Sequence, residues 1–365
     1  MNERVLATLE NCRYCLMCRH VDPLGLITRR ETLTPHGIAL VAVSEQRGLI
    51  DWNEEMIGVL YSEVDAGVAQ ANCVTDQPFS EAVALVRAEL VASRLAPAAV
   101  YELEERFRRH ASPFGEAPVE TARGQAETAL FVGDEAHHLW PASVGAACTL
   151  LGALGESPVP IGRGRSSGFL ASSLGLIETA RTQAKATLEE LEATGAGRLV
   201  VLSPGDHFTL SQLYPERLGL DWPAGVEIVD LATLLTDALR AGRLAFTPAS
   251  EGGAYAYVDP THAARTPERF EAPRSLLRSL MPTEPVELFW HRQRAHPVGS
   301  TALQFTHPEL ADALTRARLE DARSRGAEVL FCEDPGSLAQ LCHHAAAYNL
   351  AVRGLYETLA THLKP

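Results

Sequence analysis

Three cysteines two residues apart, Cys12, Cys15 and Cys18, constrain this chain more than any other feature. Thiols so closely spaced on one short loop suit an iron–sulfur cube. Asp22-Pro23 follows where the bacterial C-x2-C-x2-C-x3-C-P run has its fourth cysteine. In proteins with two such runs, the fourth cysteine of each ligates the other run's cluster. The aspartate therefore leaves the first cluster intact but calls for a fourth ligand from a later run. Counting back from Cys73 by the same spacing gives Glu63, Ala66 and Ala69 in place of three cysteines. The one cysteine kept would complete the first cluster. Every ligand of the second, Glu63, Ala66, Ala69 and Asp22, is lost. The expectation is one [4Fe–4S] cluster on Cys12, Cys15, Cys18 and Cys73, with the second site abolished. The alternatives are zinc or reduced thiols in a core. Zinc sites commonly pair two C-x2–4-C or His elements, which this run fits poorly.

The chain's 365 residues leave room for two or three domains. A hydrophobic share of 46% allows a good core. The net charge of −14 disfavours nonspecific binding to nucleic acid or anionic membrane. No apolar run reaches the length of a transmembrane segment, and no secretory segment opens the chain. Seven cysteines, four of them N-terminal, do not make a disulfide framework, so a cytoplasmic location is expected.

Residues 1–110 read as short helices and loops. Thr34 and Pro35 form a helix entry, residues 79–95 an amphipathic helix with Val83, Val86, Leu90 and Val91 on one face, and residues 97–110 another helix. Residues 111–125 are rich in Pro, Gly and Glu and read as a linker. Beyond them short apolar strands alternate with helices, predicting βαβ units and a largely parallel sheet. Strands are expected at 128–133, 198–203, 226–230, 254–258, 286–290 and 328–331. A helix, a Gly-Ala stop, a short strand and a polar turn occur twice, at 187–204 and at 318–332. This points to duplication, with units at 126–245 and 246–365. The fold class expected is α+β and multidomain: an all-helical ferredoxin-like module, then a duplicated α/β region.

The cysteine run, Arg30 to Gly37, Asp259-Pro260 before Arg265, Glu271 to Leu277 and Pro308 to Ala327 together resemble one family. It is that of the heterodisulfide reductase D-like proteins and the glycolate oxidase iron–sulfur subunits. The resemblance covers almost the whole chain and implies a helical ferredoxin module followed by two CCG domains. The family's Cys-Cys-Gly reads Ser166-Ser167-Gly168 here, and its Cys-Pro-x-Cys reads Ser203-Pro204-Gly205-Asp206. Its His-Asp-Pro-Cys reads Val258-Asp259-Pro260-Thr261, the second Cys-Cys-Gly has dissolved into 291–299, and Cys332 alone survives from the last motif. A thiolate cluster cannot be rebuilt from these residues, so disulfide-reducing activity does not carry over.

His207, His262, His291 and His296 stand around the degenerate motifs. They permit a replacement metal site, or an emptied pocket refilled with polar residues. The loop 162–168 lacks the endings of phosphate-binding loops and reads as polar surface. Ser203, Asp206 and His207 lack the nucleophile elbow of a hydrolase. The expected function is an electron-transfer subunit with no catalytic residues of its own. By resemblance, its partners would be a flavin-dependent dehydrogenase and electron-transfer flavoprotein. Arg163, Arg165, Arg292 and Arg294 are candidate contacts to an acidic partner. The rivals are a structural docking protein with a redox-silent cluster, and a metal-dependent enzyme using the degenerate pocket.

Overall fold

The computed structural model describes residues 3–12, 15–115, 124–249 and 253–364. Its N-terminal part is helical, with helices at Glu3–Glu10, Pro35–Gln46, Glu54–Ser62, Phe79–Ala92 and Ala98–His110. Polar caps start several of them. The Thr34 hydroxyl accepts from the Gly37 N–H with Pro35 in the first turn, and Asn53 caps the helix at Glu54. Val83, Val86 and Leu90 are buried as expected and Val91 packs against the same core. The Phe79–Ala92 helix stops short of Leu95, and Arg94 adopts a left-handed backbone at φ +59°.

After this part the chain builds two parallel sheets. The first contains β1 (Thr128–Phe131), β2 (Val159–Ile161), β3 (Arg198–Val201) and β4 (Glu227–Asp230) in the order β2-β1-β3-β4. The second contains β5 (Tyr255–Tyr257), β6 (Val329–Cys332) and β7 (Ala351–Gly354) in sequence order. The fold is a mixed helical and parallel-sheet α+β architecture. Central strands β1, β3 and β6 are covered on both faces and so read as unbroken apolar runs. The repeated unit is present twice. The Ile177–Thr194 helix ends at Gly195, φ +64°, and feeds β3, while the Pro308–Ser324 helix precedes Gly326, φ +81°, and feeds β6.

The stretch 286–290 is not a strand. Val286 donates its N–H to the Tyr255 carbonyl at 2.7 Å, but the Phe289 and Trp290 amides turn to the Asp321 carboxylate at 2.9 and 3.1 Å. A side chain has taken the donors a ladder would need. Edge strands β2 and β7 were not expected. The first is three residues long with Pro160 at its centre, and the second carries Arg353 and exposed positions.

Leu130, Val200, Leu235, Tyr257, Phe331 and Leu355 belong to one core shared by both α/β halves. Val86, Leu90, Phe107, Leu174 and Tyr214 belong to another that joins the helical part to the first half. Of the expected linker, 116–123 lie outside the described residues. Ser112, within its first part, is buried and donates to Asp134 at 3.0 Å. Asp65 ties the three parts together. This buried carboxylate meets Arg265 of the second half at 2.6 Å and Arg217 of the first at 3.4 Å. A second buried network centres on Arg269, which reaches Asp230 at the end of β4 at 2.7 Å and Glu333 after β6 at 3.1 Å. Among the described residues no helix is long and apolar enough to cross a membrane.

Candidate functional site

Cys12, Cys15, Cys18 and Cys73 line a single surface pocket of about 550 Å³. Cys12 follows the first helix, and Cys18 opens a short 3-10 turn through His20. Between them Leu16 holds a left-handed backbone, φ +63°, a strained conformation for a branched residue that turns the loop back on itself. Asp22 does not face this pocket. Its carboxylate caps the Pro23–Thr28 helix, accepting from the Gly25 N–H at 2.5 Å. Cys73 arrives from the far side, after the Val68–Ala71 turn, its N–H bonded to the Gln70 carbonyl. The wall is otherwise made mainly by Pro35, Ala39, Ala69 and Phe79.

Burial pushes the Cys18 thiol up to about 12, and negative charge on Asp22, Cys12 and Cys15 pushes the same way. No lysine or arginine lines the pocket among the described residues. Four thiols gathered without a compensating cation fit a cationic inorganic core, since coordination deprotonates a thiol outright. At Cys73 burial acts to raise the pKa, but the Thr75 hydroxyl at 3.4 Å and N–H groups of Gln77, Thr75 and Asp76 outweigh it and lower the value. This sulfur is already prepared for negative charge. Among the described residues no three His, Cys, Asp or Glu side chains are grouped to hold one metal ion. A cube does not ask for that, because its irons occupy separate corners and each takes its own thiolate. The residues present fit a [4Fe–4S] cluster.

The positions at which the sequence suggested an abolished second site are occupied by other contacts. Glu63 and Ala66 are buried, Glu63 accepts from the Ser80 hydroxyl at 2.8 Å, and its other oxygen has no partner. The Arg265 side chain lies over Gly67, where a Cβ would meet its Cγ at 2.6 Å. Burial, together with the charge of Glu63, pushes Asp22 up to about 7 against its Gly25 hydrogen bond.

A second pocket, of about 610 Å³, lies at the carboxyl ends of the strands, between the two halves. In parallel sheets this is where ligands bind. Ser166, Ser167, Ser203, Asp206, Thr261 and His262 reach it, so the degenerate motifs do converge. The duplication locates the counterpart of Ser166-Ser167-Gly168 in the second half. Gly168, φ +98°, packs on the Ala180 carbonyl, and Gly299, φ +117°, packs on the Ala311 carbonyl, at the same point of the repeated helix. Pro297-Val298-Gly299 thus stands at the position equivalent to Ser166-Ser167-Gly168. The equivalent residues Ser203 and Asp334 meet across the pocket at 3.2 Å.

Of the four histidines only His262 lines this pocket. His291 bonds to the Leu288 carbonyl, and His296 stacks on Trp290 and bonds to the Val21 carbonyl. His207 Nδ1 is buried outside the pocket and has no partner among the described residues. Arg292 is paired with Glu271 and Glu287. Asp134, Glu135 and Asp334 also line the pocket, and the sequence did not point to them. Their one signal is position: each follows an apolar strand within a few residues.

No family model and no curated protein matches this chain. A solved structure, that of a hypothetical protein from Helicobacter pylori, superposes with a TM-score of 0.64 at 11% identity. The match covers 99% of this chain and 73% of the other, and it establishes a shared fold.

Proposed function

We propose that this chain is an iron–sulfur electron-transfer subunit carrying one [4Fe–4S] cluster on Cys12, Cys15, Cys18 and Cys73. The observation that carries the reading is that Cys73, distant in sequence, lines one pocket with Cys12, Cys15 and Cys18. Cys15, Cys18, Cys73, Cys148, Cys332 and Cys342 are free thiols, which suits a reducing cytoplasm. When bound, the cluster supplies one-electron transfer. The chain's own residues hold it, wall it with apolar groups and direct N–H and O–H donors at Cys73 sulfur, the arrangement that tunes a potential. Cys15 is exposed, and exposed Leu16, Met17 and Val74 lie beside the thiols in the chain. Apolar groups at such an edge suit docking of a redox partner. By the family resemblance that partner is a flavin-dependent dehydrogenase, with electron-transfer flavoprotein as a further one.

The test is iron and sulfide analysis of anaerobically prepared protein, with visible spectra before and after dithionite. About four irons and four sulfides per chain are expected, with absorption that bleaches and returns. Cys73→Ser should lose both. Colourless protein, or one zinc per chain, would overturn the reading. A cluster that does not bleach would leave the structural docking role instead.

A further inference from the structure

A third pocket, of about 800 Å³, opens where the last helix of the N-terminal part meets the first α/β half. Phe107, Arg108 and Arg109 come to it from the end of the Ala98–His110 helix, Thr182 and Gln183 from the Ile177–Thr194 helix, and Arg165 from the loop after β2. Backbone hydrogen bonds join these walls. Ala111, left-handed at φ +59°, ends the first helix, and its carbonyl accepts from the Ser166 N–H at 3.0 Å. The Arg165 N–H donates to the Gly162 carbonyl at 3.1 Å, a turn that fixes where the arginine side chain starts.

Three guanidinium groups thus border one cavity, in a chain whose net charge is −14. No aspartate or glutamate lines it among the described residues. Arg108 and Arg109 share the one carboxylate of Glu105, at 2.6 and 2.5 Å. A helix end draws cations by itself, which accounts for these two. It does not account for Arg165, which belongs to another element. The Arg165 Nε is buried and has no hydrogen-bond partner among the described residues. A guanidinium only donates, so this group calls for an acceptor.

A second observation does not concern charge. Gln183 is 4% exposed, and its Oε1 is buried with no hydrogen-bond partner among the described residues. It lines the same cavity. The neighbouring Thr182 hydroxyl cannot serve it, because that hydroxyl donates to the Glu178 carbonyl at 2.9 Å. A buried amide oxygen without a donor is costly, so it calls for an O–H or N–H from whatever fills the space. Arg165 and Gln183 therefore make opposite demands, and one ligand meets both if it carries an anion and a hydroxyl. Arginine forks match the oxygens of a phosphate. We propose that this pocket binds a small phosphate monoester that also carries a hydroxyl group, its phosphate held by Arg165 with Arg108 and Arg109 and its hydroxyl donating to Gln183 Oε1. The four cysteines line a different pocket, so this site stands apart from the electron-transfer reading.

Calorimetric titration of the intact, anaerobically purified protein with glycerol 3-phosphate tests it. Inorganic phosphate, glycerol and glycerate are titrated in parallel. Saturable 1:1 binding of glycerol 3-phosphate is expected, on the order of tenfold or more tighter than glycerol or glycerate, and weaker as salt is raised. Glycerol 3-phosphate should also bind more tightly than inorganic phosphate. Gln183→Met keeps the length of the side chain and removes the oxygen, so it should erase that advantage while leaving inorganic phosphate unchanged. Arg165→Gln should weaken both phosphates about tenfold or more. Should a variant fail to fold, the wild-type series alone decides. No heat from glycerol 3-phosphate, binding of glycerate, glycerol or inorganic phosphate as tight as its own, or full affinity in folded Arg165→Gln would each overturn the proposal. Iron content is measured on the same samples, so loss of the cluster and loss of phosphate binding are separable.

Discussion

Asp206 shows how one carboxyl can make stability depend on pH. Burial pushes it up to about 8. The charges of Asp134 and Asp334 add to this, and the Ser167 hydroxyl only partly offsets it. Glu135 faces the same pocket and is itself raised well above the usual range, by burial and then by Asp334, Asp134 and Asp206. The folded chain holds the Asp206 proton more tightly than the unfolded chain, whose value lies at 3.8. The stability from this group is therefore complete below that value and drains as pH rises through about 8. Asp206→Asn keeps the shape and discards the charge. It should unfold at higher urea than the wild type at pH 8, by on the order of 5 kcal/mol, and nearly match it near pH 4. A variant weaker at pH 8 would show that the carboxylate is stabilised by something else. Asp230 behaves oppositely. Burial would raise it, but Arg269 wins and holds it at about 2. Its contribution is present above its unfolded value of 3.8 and is lost as pH falls through about 2. Asp230→Asn should therefore cost stability at pH 7 and progressively less in strong acid, read from the same urea midpoints.

At the scale of elements, two glycines with similar backbones should respond differently to the same change. Gly175 has φ +86°, and a Cβ there would lie 2.5 Å from the Arg87 carbonyl carbon in the packed Phe79–Ala92 helix. Gly195 has φ +64° and open space around it. Gly195→Ala should cost about 1 kcal/mol from backbone strain alone. Gly175→Ala adds a clash with backbone that cannot swing away and should cost about 3 kcal/mol or more, both read from thermal melts. Equal losses would mean the helix contact yields. Features like Gly195 were readable in the sequence, because a helix stop is local chemistry. So were the Thr34 cap and the central strands, whose unbroken apolar runs report burial on both faces. The stretch 286–290 misled because its apolar residues look like a strand, whereas its amides are claimed by Asp321, distant in sequence. The spacing of the cysteines pointed to one shared site, and all four line a single pocket. Asp134, Glu135 and Asp334 could not be read in this way, because only the meeting of two sheets puts them in one pocket.

At the scale of the whole molecule, Asp65 is the joint. It is 1% exposed and is shared by Arg265 and Arg217, with Arg265 also donating to its backbone carbonyl. Removing the carboxylate takes the anion from two largely buried guanidinium groups at the junction of all three parts. Asp65→Ala should cost about 3–5 kcal/mol and split one unfolding transition into two, seen by calorimetry. Asp65→Asn, which retains an acceptor oxygen, should cost less. A single transition shifted by under ~1 kcal/mol would mean the cores alone weld the parts.

The frame that shapes the thiol pocket is made of helix packing and arginine–carboxylate joints, none of which involves sulfur. The pocket opens at the surface, with Cys15 at its mouth. Building the frame and filling the pocket are thereby separable. On the proposed iron–sulfur reading, an inorganic core would be delivered after the polypeptide is finished and replaced in place, without dismantling the scaffold around it.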